Sequence, residues 1–323
     1  MLSKRLSCFF AALALVFVLP CQGQSSDEYP SRPVHMIVPY PAGGSLDMLA
    51  RLVGAKMAAS LGQPFIIENK PGASTILGGA YVAKSPADGY TLLWGAATIA
   101  LNSALGIKQP YDAERDFVPI SYVASMTMVF LATPKSGYNS MLDVIADAKK
   151  GPFFFASAGR GSIGDLITLY LNQATSSKFT IVPYRGSSLA LRDMLAGTLK
   201  FMIDGYIPSG IYANQGKLKA LAVTTQKRAP MLPNVPTMAE LGFPGATASA
   251  DFGLLAPKGT PAEIVRKLNA AVILALKSSD VREKLLQAGY EIHGSTPEEY
   301  AKHIHAETVR WRKVVEASGL KFD

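Results

Sequence analysis

The stretch His35-Met-Ile-Val-Pro-Tyr-Pro-Ala-Gly-Gly-Ser-Leu-Asp-Met-Leu-Ala-Arg51 carries the reading of the fold. Residues 35–38 are a short apolar run, as in a buried strand. Proline and glycine punctuate the next six positions, and apolar residues then return at helical spacing (Leu46, Leu49, Val53, Met57), so that 46–61 reads as a helix. A strand, a glycine turn and a helix in direct succession form the repeating unit of an α/β protein.

The unit recurs along the chain. Residues 65–68, 91–94, 129–132, 153–157, 180–183, 199–203 and 218–223 read as strands, and 139–149, 162–175 and 187–196 as helices. This alternation predicts parallel sheets covered by helices. Helix starts are marked by Ser162-Ile-Gly-Asp165, Thr260-Pro-Ala-Glu263 and Thr296-Pro-Glu-Glu299, each a capping residue followed three positions later by an acid. Beyond Thr260 the chain reads as mostly helix, with 290–293 as a short strand.

The N-terminus has Lys4 and Arg5, an apolar run of twelve residues at 8–19 and a polar stretch at 22–28. That is a secretory signal pattern, too short to span a bilayer. Cys21 and Gly23 suit cleavage before Gln24, with lipid attachment at Cys21 as the alternative. Cys8 and Cys21 are the chain's two cysteines, so the mature product carries neither a disulfide nor a thiol site. The roughly 300 remaining residues suit two lobes rather than one small core. The formal charge is +8, and loss of Lys4 and Arg5 leaves +6. Basic residues are scattered, which argues against a nucleic-acid module and for a mild field favouring anions.

Two turns carry the candidate chemistry. One is Pro39 to Asp47 and the other Ser157-Ala-Gly-Arg-Gly-Ser162, each after a strand and before a helix. Such turns leave backbone N–H groups at a helix N-terminus, with the positive end of the helix dipole behind them, as a seat for an anion. Two seats suggest a pincer. Three or four charge-assisted hydrogen bonds of ~1.5–3 kcal/mol each, together with the two helix ends, can offset association costs and reach ~−8 kcal/mol, a micromolar dissociation constant. His35, His293, His303 and His305 lie in neither turn, and His303 and His305 read as solvated helix residues. Ser45 and Ser162 read as helix caps, so no catalytic residue, metal site or cofactor is assigned. A distant base would make either serine a nucleophile, and a secreted serine hydrolase is the rival reading.

A specific likeness accompanies these residues. In order come Tyr40-Pro-Ala-Gly-Gly-Ser-Leu-Asp47 with Ala50-Arg51, Glu68-Asn-Lys-Pro-Gly-Ala73, Tyr81-Val-Ala-Lys-Ser-Pro-Ala-Asp-Gly-Tyr-Thr91 and Phe117-Val-Pro-Ile-Ser121. Ser157 to Ser162, Val182-Pro-Tyr-Arg-Gly186, Leu232-Pro-Asn-Val-Pro-Thr-Met-Ala-Glu240 and Leu254-Leu-Ala-Pro-Lys-Gly-Thr-Pro261 complete the series. From about Arg32 onward the chain resembles the Bug-type receptors, the substrate-binding components of tripartite tricarboxylate transporters. The resemblance implies a periplasmic, two-domain Venus-flytrap fold of the type II-like kind, with crossing strands at the hinge. It implies a signal at 1–23, a first lobe of 24–124 with 250–323, and a second lobe of 125–249.

The resemblance further implies a small carboxylate held by Ala42, Gly43, Gly44 and Ser45, with Asp47 anchoring water or serving the helix dipole. Ser157, Ala158, Gly159 and Ser162 would face them, and Thr98 would reach in from the first sheet. Asp204 would hold a polar ligand group or cap the next segment. Arg160 would pair a second carboxylate or stay solvated, and Arg185 would contact ligand or act as a strut. The implied partner is a membrane permease or a sensor kinase, and the receptor a monomer; an ABC-type receptor is the rival within the binding class. Ser74-Thr75-Ile76 stands where relatives have Gly-Gly-Asn, Ile99 where they have histidine, and Asp251 where they have tryptophan. The polar-to-aliphatic changes suggest a ligand with an apolar portion, such as an aromatic or branched monocarboxylate.

Overall fold

The computed structural model describes residues 29–318, apart from Ala158, Arg160 and Arg185, and apart from the side chains of Ala96, Ala97, Thr98 and Ala100. The expected signal at 1–23 lies outside the described residues. In chain order the elements are β1 (Val34–Val38), α1 (Ser45–Leu61), β2 (Phe65–Asn69), α2 (Ile76–Ala83), β3 (Thr91–Ala96), α3 (Ala97–Ala104) and β4 (Phe117–Ala132). There follow α4 (Met141–Lys150), β5 (Phe153–Ser157), α5 (Ile163–Thr175), β6 (Phe179–Pro183), α6 (Ser187–Leu195), β7 (Phe201–Gly205), α7 (Ile211–Asn214) and β8 (Lys219–Val223). The chain closes with β9 (Ser249–Pro257), α8 (Ala262–Lys277), α9 (Ser279–Gln287), β10 (Tyr290–Ile292) and α10 (Pro297–Ser318).

β4 joins two sheets. Its first part pairs antiparallel with β9, from Phe117 opposite Pro257 to Thr127 opposite Ser249, and with β10 through Ala124, Ser125 and Met126. Its last residues pair antiparallel with β7 and β8. The strand order is β2-β1-β3-β9-β4-β7-β5-β6, with β8 and β10 added on β4. Among the named strands of the described residues, the parallel pairs are β1 with β2 and β3, and β5 with β6 and β7. Sequence reading found those outer units and only the end of β4. Pro119, Ser121, Ser125 and Thr127 interrupt the apolar pattern there, although Ile120, Val123, Ala124 and Met126 between them are buried in the core and the strand pairs along this stretch with β9.

Apolar clusters follow the two sheets. Met36, Leu49, Trp94, Leu254 and Leu268 belong to one, and Phe130, Phe155, Ile167 and Phe201 to another. Two helices cross between them. α3 contributes Leu101 and Leu105 just beyond it to the second cluster. α10 buries Tyr300 beside Leu93 and Phe117, and then Trp311 and Val315 beside Phe130 and Phe155.

Helix starts match the expectation at two of the three marked sites. Thr296 and Glu299 form a reciprocal cap, Glu299 N–H to Thr296 Oγ1 at 3.2 Å and Thr296 N–H to Glu299 Oε2 at 2.9 Å. Ser162 caps α5 and accepts from the Asp165 N–H. Thr260 does not cap α8: its hydroxyl turns back to the Pro257 carbonyl at 2.8 Å, and Pro261 takes the capping position.

Candidate functional site

The first turn links β1 to α1. Gly43 has φ +82°, a left-handed conformation in which a glycine avoids the Cβ clash. Gly44, not Ser45, is the residue that starts the helix, and Ser45 occupies the first helical position. This corrects the reading of Ser45 as a cap. The first intrahelical bond runs from Met48 N–H to Gly44 C=O, so the N–H groups of Ser45 and Leu46 precede it. The Tyr290 hydroxyl donates to the Ser45 carbonyl at 2.7 Å and ties this helix end to β10.

Asp47 is the anchor of the turn. Its Oδ2 accepts from Gly43 N–H and Arg51 Nε, both at 3.0 Å, and its Oδ1 accepts from Arg51 Nη2 and Asn69 Nδ2, both at 2.9 Å. The carboxylate's acceptor positions are thus taken by the protein itself. Burial acts to raise its pKa, but the Arg51 guanidinium, the Gly43 N–H and the Asn69 amide outweigh burial and hold it below the ordinary carboxylate value. Asn69 also donates to Tyr40 C=O at 3.1 Å, so the end of β2 braces the turn from the side. Sequence reading passed over Arg51 and Asn69. The signal for Arg51 was there, since an acid and an arginine four apart share a helix face.

The second turn repeats this device. Gly161 has φ +73°, Ser162 caps α5, and Asp165 stands three positions on, as Asp47 does after Gly44. The Gly161 N–H donates to Asp165 Oδ2 at 2.9 Å, matching the bond from Gly43 to Asp47. Ser157 is fully buried, and its hydroxyl meets the Ser162 hydroxyl at 3.1 Å and donates to Gly159 C=O at 3.0 Å. Ala158 and Arg160 lie outside the described residues. In both turns a left-handed glycine, a cap and a buried aspartate direct the opening of a helix.

A third segment links the two turns. β1 and β2 run parallel with Val38 opposite Asn69, which sets the loop after β2 beside the first turn. In that loop Ala73, Ser74 and Thr75 have φ of 45°, 51° and 76°, three successive non-glycine residues in the left-handed region. This is uncommon for any residue and more so for β-branched threonine. Thr75 is buried and starts α2. The Ser74 carbonyl accepts from Asn102 Nδ2 at 2.9 Å. A Cβ built on Gly161 would lie 3.8 Å from Asn102 Oδ1 and 2.9 Å from Leu105 Cδ1. Asn102 therefore stands between the loop and the second turn. The Thr98 side chain lies outside the described set.

Two residues taken as signs of an apolar ligand face elsewhere. Ile99 is buried with Ile37, Leu93, Tyr111 and Phe117, and Ile76 packs on the same cluster. Their aliphatic character serves the core, so the inference to an apolar ligand loses its basis.

Asp204 ends β7 beside the second turn, since β7 lies parallel to β5 with Met202 opposite Ala156. It is buried, and the Ser187 hydroxyl donates to its Oδ1 at 2.8 Å while the Ser209 hydroxyl donates to Oδ2. Burial raises its pKa despite these donors. Arg185, the other candidate on this wall, lies outside the described residues.

A cluster that sequence reading missed sits where β4 and β9 cross. Tyr122 is stacked between His293 (ring centroids 4.2 Å) and His303 (4.4 Å). The Tyr122 hydroxyl donates to Asp251 Oδ1 at 2.8 Å, and His303 Nε2 bonds Asp251 Oδ2 at 2.8 Å. His293 Nε2 pairs with the Ser125 hydroxyl at 2.8 Å, and Ser125 is opposite Asp251 across the strands. His303 is thus no solvated helix residue, and α10 is bonded to the crossing strands through it. His35 bonds Glu68 and His305 bonds Glu114, so all four imidazoles are engaged away from Ser45 and Ser162. Among the described residues no helix is long and apolar enough to cross a membrane, and no group of three His, Cys, Asp or Glu could hold a metal ion.

Residues 49–320 match the family described as "Tripartite tricarboxylate transporter family receptor". Protein BugT of Bordetella pertussis strain Tohama I is 37% identical over 301 residues, 92% of each chain. The "UPF0065 protein in tcbD-tcbE intergenic region" of Pseudomonas sp. strain P51 is 36% identical over 297 residues, covering 91% of this chain and 88% of the relative. Among solved structures, an R. palustris protein with adipate superposes with a TM-score of 0.85 at 38% identity, covering 91% of this chain and 99% of that one. MatC from Rhodopseudomonas palustris with bound malate gives 0.80 at 35% identity, covering 89% and 100%. Periplasmic binding protein BugD gives 0.81 at 31% identity, covering 91% and 99%. The fold is that of a two-lobed periplasmic binding protein, with β4 and β9 as the crossing strands.

Proposed function

The chain belongs to the family of tripartite tricarboxylate transporter receptors, and from that premise we propose that it is a periplasmic receptor for a small carboxylate. The lobes are 24–124 with 250–323, and 125–249, hinged where Ser125 faces Asp251. The ligand sits between Ala42, Gly43, Gly44 and Ser45 on one wall and Ser157, Ala158, Gly159 and Ser162 on the other. Thr75 and Thr98 flank it from the first lobe, and Arg160, Arg185 and Asp204 from the second. Asp47 acts on ligand through the turn that it holds. The observation that carries this reading is the repeated device, a left-handed glycine whose N–H is fixed by an aspartate at the third helical position. Fixing these turns in advance lowers the ordering cost of binding, and the two helix ends favour negative charge between them. The relatives solved with adipate and malate support the ligand class.

The protein is a binder and not an enzyme in this reading, since both serines lack an imidazole partner among the described residues. It acts as a monomer and delivers its ligand to a membrane permease or a sensor kinase. The reading is tested by thermal shift with a panel of mono-, di- and tricarboxylates and the matching amides. A ligand at about 100 times its dissociation constant adds ~2.7 kcal/mol of stability, so at least one acid should raise Tm by several degrees while its amide does not. No shift with any acid, or hydrolysis of simple esters that is lost in Ser162→Ala or Ser45→Ala, would overturn the proposal.

A further inference from the structure

Asn102 combines three properties that set it apart from the residues discussed above. It is fully buried. Its amide orientation is settled, because Nδ2 donates to the Ser74 carbonyl, which can only accept. Its Oδ1 consequently points away from Ser74, and it is buried with no hydrogen-bond partner among the described residues. The oxygen lies toward Gly161, 3.8 Å from where a Cβ on that residue would stand. An acceptor with no donor is therefore placed between the left-handed loop at 73–75 and the second turn, the two segments that a ligand in the cleft would touch.

Buried acceptors without donors are uncommon and unfavourable, because the group has given up water and received nothing in exchange. Nothing in the immediate fold requires this one. The other half of the amide is used, and Leu105 and Ile107, which share this wall with it, are apolar. An oxygen so buried stays stranded unless a ligand brings it a donor.

We propose that Asn102 is a specificity-determining residue, whose carbonyl oxygen accepts a hydrogen bond from a hydroxyl or ammonium group on the bound acid. The receptor then favours hydroxy- or amino-substituted carboxylates over the unsubstituted acids of the same skeleton. This inference rests on the carboxylate reading of the cleft and adds the second functional group of the ligand. A site built to bond a ligand donor rejects the analogue that lacks it, because the buried polar group is then left unpaired.

The test is a set of matched pairs measured by calorimetry: propionate and lactate, succinate and malate, succinate and aspartate, benzoate and 3-hydroxybenzoate. In the pair whose skeleton fits, the substituted acid should bind about tenfold or more tightly, equivalent to ~1.4 kcal/mol. In Asn102→Leu that ratio should fall to within about twofold, and Asn102→Thr serves as a second variant if the leucine disturbs folding. Because the readout is a ratio within one variant, loss of the bond to Ser74 alone would weaken both members alike and leave it unchanged. Equal affinity of both members for the unaltered protein, or a ratio that survives in the variants, overturns the inference while the carboxylate reading stands. If no acid of any pair binds, the carboxylate reading falls and this inference with it.

Discussion

Replacing Asp47 with alanine probes the device on which the site is built. The substitution leaves the Gly43 N–H, the Asn69 amide and the Arg51 guanidinium without their shared acceptor. Hydrogen bonds to a buried charge are worth ~1.5–3 kcal/mol each. The Arg51 side chain is 52% exposed, so water recovers it and its pairing adds little. The two remaining bonds set a loss of about 3–6 kcal/mol for Asp47→Ala and of about 1 kcal/mol or less for Arg51→Ala. In a chain of this size 1 kcal/mol moves Tm by about 2 °C, so the shifts are about 6–12 °C and about 2 °C. Ligand affinity should fall with Asp47→Ala, because the Gly43 turn is no longer held in its binding geometry.

Acid sharpens the test. The Asp47 carboxyl sits below its ordinary value in the folded protein. Its contribution is therefore fully present above the unfolded value near 3.9 and is lost as pH falls through the lower folded value. Urea denaturation of the unaltered protein and of Asp47→Ala should differ at pH 7 and converge as pH falls from the unfolded value near 3.9 through the lower folded value. Arg51→Ala costing as much as Asp47→Ala, or a difference that persists unchanged in acid, would refute the assignment of Asp47 as the anchor.

Two further outcomes follow from the same geometry. Gly161→Ala should destabilise by about 1–3 kcal/mol and Gly43→Ala by less, since both incur left-handed strain but only at Gly161 does the new methyl meet a neighbour, Leu105 Cδ1 at 2.9 Å; equal losses in thermal denaturation would count against this. His303 and His293, stacked on one tyrosine, should titrate on opposite sides of the ordinary imidazole value in an NMR pH series. For His303 burial is outweighed by Asp251, with Glu307 adding to it, and its pKa rises; for His293 burial outweighs Glu291 and Asp251, and its pKa falls. A raised histidine stabilises fully below the unfolded value near 6.5 and loses its contribution as pH climbs through the folded value, so His303→Gln should cost more at pH 5.5 than at pH 8.5.

How far the sequence reached can be traced residue by residue. The turns at Gly43–Gly44 and Gly161–Ser162 were legible because their cause is local: an apolar strand, glycines and an apolar helical stripe within about fifteen positions. Asp47 and Asp165 were legible as first-turn acids for the same reason. β9 was not read, since its residues take their place by pairing with β4 more than a hundred positions away. Ile76 and Ile99 were misread because sequence alone does not say which way a side chain turns, and both turn to the core.

By itself, the sequence determined the α/β alternation, the two glycine turns that open helices and the membership of the chain in its receptor family. All of these rest on short-range spacing and on motifs that keep their order. Only the tertiary structure decided what each turn is held by and what stands between them. Asp47 is locked by Asn69 from the next strand, Asn102 is set between Ser74 and Gly161, and His303 is bonded to Asp251 at the crossing strands. The physical reason is that a carboxylate or an amide states what it can bond, while the chain path alone states which partner arrives.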